Sequence, residues 1–267
     1  MSATCIAPTE LWNKPPARLQ LNQAEIHVWR LDLNEVRRSH EALLPCLSKD
    51  ERERASRFHF QKDREHFVAA RGVLRVLLGR YLNLTPEELR FKYSSYGKPS
   101  LDVGPDGERL RFNLSHSHER ALLAFTRAGE LGVDLEFMRA DFACHEVAER
   151  WFSDREVEMF SALPGSLRIE GFFNCWTRKE AYVKARGEGL SRPLKSFSVS
   201  LAPDEAARLL SIDGDSVQCE RWSLQNLHVA EGYAAALAVE NTHCETLLWE
   251  VGPDALARMQ EQESFCV

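Results

Sequence analysis

The first half of the chain mixes extended and helical hydrophobic patterns. Apolar and polar residues alternate in AEIHVWRLDL, which predicts a strand. A capping box, Ser48 followed three residues later by Glu51, opens LSKDERERASRFHF and predicts the start of a helix. Apolar residues then recur at helical spacing in DREHFVAARGVLRVLLGRYL, followed by a short helical turn at TPEEL. Short strands joined by turns are predicted in LRFKYSSYGKPSL and LRFNLSHSHERALLAFT.

The second half repeats this mixture of elements. A strand is predicted in GELGVDLEFM, and the turn RAGE is expected to join it in a hairpin to the strand before it. Helices are predicted in CHEVAERWF, in SDREVEMFSAL with a capping box at Ser153 and Glu156, and in FFNCWTRKEAYVKARGEGL. Strands are predicted in SFSVSL, VQCERWSL and YAAALAVE, and the polar tail RMQEQESFCV is expected to be loose.

These elements predict an α+β fold, because helices are interspersed with mostly antiparallel strands. We expect four segments along the chain. They are an extended lead-in at residues 1–25, an N-terminal lobe at 26–128, a C-terminal lobe at 129–240 and a polar tail at 241–267.

Composition narrows the class of protein. The chain is 44% hydrophobic and 28% charged, as in ordinary soluble proteins, and no apolar run is long enough for a transmembrane helix. The amino terminus lacks the pattern of a secretory signal. Seven scattered cysteines without a C-x-x-C pair argue against disulfides and against a zinc–thiolate site. We therefore expect a cytoplasmic protein that binds neither membranes nor, given a net charge of −6, nucleic acid.

Positive charge is concentrated in one segment of this acidic chain. Nine basic residues and five acidic residues lie between Lys49 and Arg80. Such a segment suits a small polyanion bound at one place. A pair of amphipathic helices with solvated charged faces would give the same pattern, so the segment alone does not decide between the two interpretations.

Two carboxylates share one face of the strand predicted in GELGVDLEFM. Alternation places Asp134 and Glu136 on the same side, about 6.6 Å apart along a strand that rises about 3.3 Å per residue. Gly132 lies on that side too and is expected to let a ligand approach. Oxygen ligands at this spacing can share a divalent cation such as Mg²⁺. The alternative is the wet outer face of a half-exposed strand.

The longest helix of the second half carries charge on a face that aromatic residues mark as buried. Its row consists of residues three or four apart, namely Phe173, Trp176, Glu180 and Lys184. A charged pair that continues an aromatic row toward the interior needs compensation by a metal, by a phosphate or by each other. Arg178 and Lys179 are expected to add positive charge beside it. An ordinary surface ion pair is the alternative.

Polar residues in two turns complete the candidate site. FNLSHSHE places Ser115, His116, Ser117 and His118 in an expected turn, where donors can reach a ligand. H-x-H without further spaced ligands is a weak metal signal, and a solvated histidine is the simpler interpretation. Lys98 in YGKPSL lies on a turn fixed by its glycine and proline neighbours.

Together these segments resemble the 4′-phosphopantetheinyl transferases of the broad-specificity, two-lobed, surfactin-synthetase-activating type. The resemblance rests on GVDLE at 132–136 and WTRKEAYVK at 176–184, with YGKPSL and FNLSHS upstream, and it covers roughly residues 26–240. It implies two similar α/β lobes related by a pseudo-twofold axis, with coenzyme A and Mg²⁺ (or Mn²⁺) in the cleft between them. It also implies a reaction in which a carrier-protein serine attacks the β-phosphorus of coenzyme A. Phosphopantetheine is transferred and adenosine 3′,5′-bisphosphate leaves.

The same resemblance implies roles for individual residues. The metal ligands would be Asp134, Glu136 and Glu180, with Glu180 also taking the serine proton and Lys184 steadying the pyrophosphate. Coenzyme A would be bound by a wider set of residues: Arg54, Arg71, Lys98, Ser115, His116, Asp134, Lys179 and Lys184. Acyl carrier proteins and peptidyl carrier domains would contact apolar residues after the metal strand: Phe137, Met138 and Phe142. The protein is expected to be monomeric.

Two other functions use parts of the same residue set. A metal-dependent hydrolase of nucleotide or coenzyme A pyrophosphates would need the same carboxylates and lysines, with water as nucleophile. A non-catalytic module could bind coenzyme A or dock on carrier domains. The presence of three carboxylates together with Lys184 argues against such a module, because binding alone does not require that set.

Overall fold

The computed structural model describes residues 12–142, 144–189 and 192–261. The elements of the first half are β1 (Glu25–Asp32), α1 (Leu33–Val36), α2 (His40–Leu43), α3 (Lys49–Ser56), α4 (Gln61–Leu82), β2 (Phe91–Tyr93), β3 (Pro99–Leu101), α5 (Gly104–Arg109), β4 (Arg111–Ser117) and β5 (Arg120–Thr126). The elements of the second half are β6 (Leu131–Phe137), α6 (Cys144–Trp151), α7 (Asp154–Ala162), α8 (Arg168–Arg186), β7 (Phe197–Val199), β8 (Leu209–Ile212), β9 (Ser223–Asn226), β10 (Tyr233–Val239), β11 (Glu245–Val251) and α9 (Pro253–Glu261).

Two sheets form the centre of the described structure. The first has the strand order β11-β1-β5-β4 and the second has the order β6-β10-β9, while β2-β3 and β7-β8 form small two-stranded ribbons. The pairing of β1 with β11 is parallel, and the other strand pairs are antiparallel. Helices and mostly antiparallel strands are therefore mixed along the chain, as the sequence predicts.

The two sheets pack against each other through a shared apolar cluster. Ile26 and Val28 of β1 contribute one side, and Val133 and Leu135 of β6 contribute the other. All four side chains are fully or almost fully buried. Because strand residues alternate between faces, this packing turns the opposite face of each sheet toward a helix.

A long helix covers the outer face of each sheet. On the first sheet, Val73 and Leu77 of α4 pack in one cluster with Trp29 and Phe125. On the second sheet, α8 packs on β6 and β10. Three small residues of β10 lie under α8: Ala234, Ala236 and Ala238. These short side chains let α8 approach the sheet closely, which brings its polar residues next to β6.

Both capping boxes form as predicted, at Ser48 with Glu51 and at Ser153 with Glu156. The expected RAGE hairpin is wrong, because β5 and β6 belong to different sheets and residues 127–130 connect them. The stretch VQCERWSL begins as a 3₁₀ helix, Val217–Arg221, and only its end enters β9.

The expectation that RMQEQESFCV is loose is wrong for its described part, residues 258–261, because α9 extends to Glu261 and the buried side chain of Met259 joins the core around α4. Before it, β11 pairs with β1, and Leu256 of α9 lies in the same core. Residues 262–267 lie outside the described part. Within the described residues, no helix combines the length and the apolar character that crossing a membrane requires.

Candidate active site

The polar face of β6 lies under helix α8. A Cβ atom at Gly132 would be 2.1 Å from the Ala181 carbonyl oxygen and 2.3 Å from the Ala185 nitrogen. The glycine is therefore required for the close approach of the helix backbone. The expectation that Gly132 lets a ligand approach is wrong for this reason.

Asp134 is buried in the contact between β6, α8 and β4. Its Oδ1 atom accepts hydrogen bonds from Lys184 Nζ at 2.5 Å and Ser115 Oγ at 3.1 Å. Its Oδ2 atom is buried and has no hydrogen-bond partner among the described residues. A buried carboxylate oxygen without a partner is costly, so this atom is available for a further ligand.

Glu136 and Glu180 lie in the electric field of Asp134. Burial raises the pKa of Glu136, and the negative charge of Asp134 raises it further. Burial and Asp134 also raise the pKa of Glu180, while the Lys184 ammonium opposes them. Three carboxylates thus influence one another electrostatically, and a cation among them would reverse these shifts.

Carboxylate oxygens are ligands that a hard divalent cation prefers, but the present placement of these three does not form a complete site. Across the described ranges, no three His, Cys, Asp or Glu side chains are already grouped to hold a metal ion. The unpartnered Asp134 Oδ2 atom and the mutual repulsion among the acids both favour such an ion. Holding it with all three residues would require side-chain movement.

Lys184 connects the residues of FNLSHS to the carboxylates. Its ammonium donates to Ser115 Oγ at 3.0 Å and to Asp134. The expected turn is wrong for Ser115, His116 and Ser117, which all lie within β4. His116 is open to solvent, yet the surrounding protein and the Lys184 charge lower the pKa of its imidazole. The structure therefore brings these residues to one place.

Lys98 reaches across to the end of α8. Its ammonium donates to the Ala185 carbonyl at 2.6 Å and to Glu130 Oε2 at 2.8 Å, and burial lowers its pKa. Gly187 follows the helix with a φ of +68°, and a Cβ there would lie 2.9 Å from the Lys98 side chain. Lys98 thus satisfies a helix-terminal carbonyl at the edge of the site.

Lys179 does not lie in the cleft. It is fully buried, and its ammonium donates to both oxygens of Glu156 and to the Phe197 carbonyl at 2.6–2.8 Å. All three of its protons are therefore used inside the core. Arg178 is also fully buried and donates to Ser200 Oγ at 3.1 Å. The expectation that these two cations add charge beside Glu180 is wrong, because both lie in the core of the second half.

The structure places the two arginine candidates on α3 and α4. Arg54 is exposed, with its guanidinium carbon 5.4 Å from the ring centroid of Phe67. Arg71 forms an ion pair with Glu51 and lies 4.3 Å above the ring centroid of Phe91. These contacts join both arginines to elements of the first half and not to β6 or α8.

Two cavities lie along the same face of α8. One, of about 170 Å³, is lined by Tyr96, Lys98, Glu180, Lys184 and Gly187 among others. The other, of about 360 Å³, has a mainly aromatic wall: Phe137, Phe142, Phe172, Phe173 and Trp176. Glu136 lines the second cavity. The predicted row on α8 therefore faces open space at both its aromatic and its charged positions.

Reasoning from sequence missed the contacts of two glutamates. Glu156 appears in the sequence only as part of a capping box, yet it also neutralises Lys179 in the core. Glu130 appears in the sequence only in the expected RAGE turn, yet it binds Lys98 and Arg111. The sequence places Ser117 in a turn, whereas the structure places it on the same face of β4 as Ser115, two residues earlier.

Comparison with known proteins identifies families and relatives that match the chain. The family described as the 4′-phosphopantetheinyl transferase superfamily matches residues 130–238, and the family described as 4′-phosphopantetheinyl transferase, N-terminal, matches residues 34–127. The chain is 37% identical over 238 residues to 4′-phosphopantetheinyl transferase HetI of Nostoc sp., covering 89% of this chain and 97% of that protein.

Two Bacillus proteins are also similar. The chain is 31% identical to 4′-phosphopantetheinyl transferase psf-1 of Bacillus pumilus, over 84% of this chain and 95% of that protein. It is 32% identical to 4′-phosphopantetheinyl transferase Sfp of Bacillus subtilis, over 62% of this chain and 71% of that protein. With these matches and the polar cluster on β4, β6 and α8, the chain belongs to the 4′-phosphopantetheinyl transferase family.

Proposed function

We propose that the protein transfers 4′-phosphopantetheine from coenzyme A to a serine of acyl carrier proteins and peptidyl carrier domains, in a reaction that depends on Mg²⁺. The observation that carries this proposal is the cluster of Asp134, Glu136, Glu180 and Lys184 in a chain of this family. The three acids can bind a cation, and the lysine beside them can bind the pyrophosphate that the cation accompanies.

Asp134, Glu136 and Glu180 would hold the metal ion. When bound, the ion supplies positive charge that offsets the charge of the pyrophosphate. Lys184 stabilises the phosphate that becomes part of the leaving group, once its ammonium turns from Asp134 toward the substrate. Glu180, which lines the same cavity as Lys184, accepts the proton of the carrier serine.

Binding of the nucleotide would use residues at the edge of the same cleft. Lys98, Ser115 and His116 border the cluster, and we assign them to the nucleotide and its phosphates. Two similar lobes related by a pseudo-twofold axis, at residues 26–128 and 129–240, would enclose the cleft. In support of this arrangement, each half has a mainly antiparallel sheet with one long helix on its outer face.

Arg71 is proposed to bind the 3′-phosphate of coenzyme A, with Arg54 as its neighbour. Glu51 and the ring of Phe91 hold the Arg71 guanidinium in place. Because this phosphate is remote from the reacting bond, Arg71→Ala should raise the KM for coenzyme A about tenfold and change kcat little. Steady-state kinetics with a saturating carrier protein measures both constants.

Dephospho-coenzyme A, which lacks the 3′-phosphate, is the control substrate. If Arg71 binds that phosphate, Arg71→Ala should lose little further activity with it, so the two changes are coupled. Losses that simply add would show that Arg71 only supports the fold through its ion pair with Glu51.

The carrier protein is proposed to dock on the segment after β6. Phe137, Met138 and Phe142 are half-buried there, and the Arg139 guanidinium lies 5.1 Å from the ring centroid of Phe142. Arg139→Glu should therefore raise the KM for the carrier about tenfold and leave the KM for coenzyme A within about twofold. Varying each substrate at saturation of the other separates the two effects.

Arg208→Glu is a matched control for this charge reversal. Arg208 is 61% exposed and pairs with Glu205 away from the segment after β6. We expect it to leave both constants unchanged. Equal effects of Arg139→Glu on both substrates would place the carrier elsewhere.

A hydrolase acting on coenzyme A is the function to exclude by experiment. We expect adenosine 3′,5′-bisphosphate to be released from coenzyme A only when a carrier protein with its serine is present. A carrier in which that serine is replaced by alanine is the control. Equal release with and without a competent carrier would show that water is the nucleophile and would overturn the proposal.

A further inference from the structure

Alternate side chains of β4 bond to the backbone of β6. Asn113 Oδ1 accepts from the Val133 amide at 2.9 Å, Ser115 Oγ from the Leu135 amide at 3.3 Å, and Ser117 Oγ from the Phe137 amide at 3.0 Å. Each of these bonds joins residues exactly twenty positions apart, so the two strands run in the same direction. We call these three bonds the side-chain ladder.

The side-chain ladder closes an edge of the second sheet. On its other edge β6 pairs with β10, and Met138, just beyond the strand, donates to the Gly232 carbonyl at 2.8 Å. Amides of successive residues in a strand point to opposite edges, so those of Val133, Leu135 and Phe137 all face β4. Polar side chains satisfy these donors where two sheets meet and backbone pairing stops.

Two rungs of the ladder also hold the carboxylates. Ser115 Oγ donates to Asp134 Oδ1 at 3.1 Å, and Ser117 Oγ donates to Glu136 Oε2 at 3.1 Å. Each hydroxyl accepts from one backbone amide and donates to the acid one residue earlier. The Asn113 rung differs, because the residue before Val133 is Gly132, which has no side chain to hold.

From this geometry we infer that Ser117 is a positioning residue that orients Glu136 for a divalent cation. The inference rests on the metal site of the proposed function. Ser117 fixes Oε2 of Glu136, and Asp134 lies two residues earlier on the same face of β6. Hydrogen bonds from neighbouring groups orient metal-ligating carboxylates, and losing one typically weakens metal binding by about tenfold or more.

Binding of Mn²⁺ to the full chain without coenzyme A tests the inference, with free Mn²⁺ followed by electron paramagnetic resonance. Ser117→Ala should bind Mn²⁺ about tenfold more weakly than the wild type. Ser117→Thr, which keeps the hydroxyl, should recover most of the affinity. Hydrogen exchange at the Phe137 amide should be faster in Ser117→Ala and near the wild-type rate in Ser117→Thr.

Asn113→Ala is the matched control, since the bond it removes goes to the Val133 amide, and the residue before Val133 is Gly132, which has no carboxylate. Its Val133 amide should exchange faster, and its Mn²⁺ affinity should stay within about threefold of the wild type. Wild-type affinity in Ser117→Ala together with faster exchange at Phe137 would reduce Ser117 to a structural link between the strands. Unchanged exchange at Phe137 would overturn the ladder itself.

These outcomes are separate from the fate of the proposed function. A wild-type protein that binds Mn²⁺ but modifies no carrier would refute the transfer reaction and leave the role of Ser117 intact. A wild-type protein that binds no Mn²⁺ would overturn the role of Ser117, even if transfer to the carrier proceeds normally.

Discussion

Asp134→Ala should reduce kcat/KM for carrier modification by about 100- to 1000-fold. Asp134 is 3% exposed, binds Lys184 through Oδ1 and carries the unpartnered oxygen Oδ2 of the described site. Removing it takes away a proposed metal ligand and the partner of Lys184 together. Glu180→Ala should lose a comparable amount, because Glu180 is proposed as both a ligand and the proton acceptor. Initial rates over a range of Mg²⁺ concentrations measure the loss.

The unfolding transition of each variant distinguishes loss of chemistry from loss of fold. A matched control is Asp106→Asn, which removes a carboxylate that pairs with Arg127 at 2.7 Å but is 67% exposed. That variant should keep wild-type activity. Near-normal transfer by folded Asp134→Ala or Glu180→Ala would refute the assignment of the metal ligands.

The second large effect is expected on stability. Lys179→Met should lower the free energy of unfolding by about 3–5 kcal/mol, because it leaves the Glu156 carboxylate buried without its counter-charge. Both side chains of this ion pair are fully buried. Glu156 also accepts from the Val199 amide at 2.8 Å and the Ser153 amide at 2.7 Å, so the pair connects α7, α8 and β7. Urea unfolding at constant pH measures the change.

Lys62→Met is the control for removing a lysine from an ion pair. Lys62 pairs with Glu119 at 3.1 Å, but both side chains are about half exposed, and we expect a change below about 1 kcal/mol. The Lys179→Met protein that remains folded should keep the wild-type KM for coenzyme A. A raised KM for coenzyme A with unchanged stability would indicate that Lys179 binds the nucleotide.

The sequence predicts much of the placement of the candidate residues because they lie on regular elements. Alternation along β6 places Asp134 and Glu136 on one face of the strand. Helical spacing places Glu180 and Lys184 on one face of α8. Both relations are local, so they follow from the periodicity of a strand and of a helix alone. The aromatic residues indicate that this face of α8 is buried, and only the family resemblance brings it together with β6.

Errors arose where long-range packing decides the outcome. Lys179 is next to Glu180 in sequence, but successive residues of a helix point in different directions, and Lys179 points into the core. Its partner there, Glu156, lies 23 positions earlier in the chain. The sequence suggests that Gly132 leaves space for a ligand, because the packing of the α8 backbone into that space depends on residues far away in the chain. Strand β11 escaped prediction since its partner β1 lies more than 200 residues earlier.

Intact mass of a carrier protein tests the central claim most directly. The wild-type chain is incubated with coenzyme A and a carrier domain, once with Mg²⁺ and once with excess chelator. We predict that the carrier gains the mass of one phosphopantetheine in the presence of Mg²⁺ and that its mass is unchanged under the chelator until Mg²⁺ is restored. An unmodified carrier with Mg²⁺ present, or full modification under the chelator, would contradict the account.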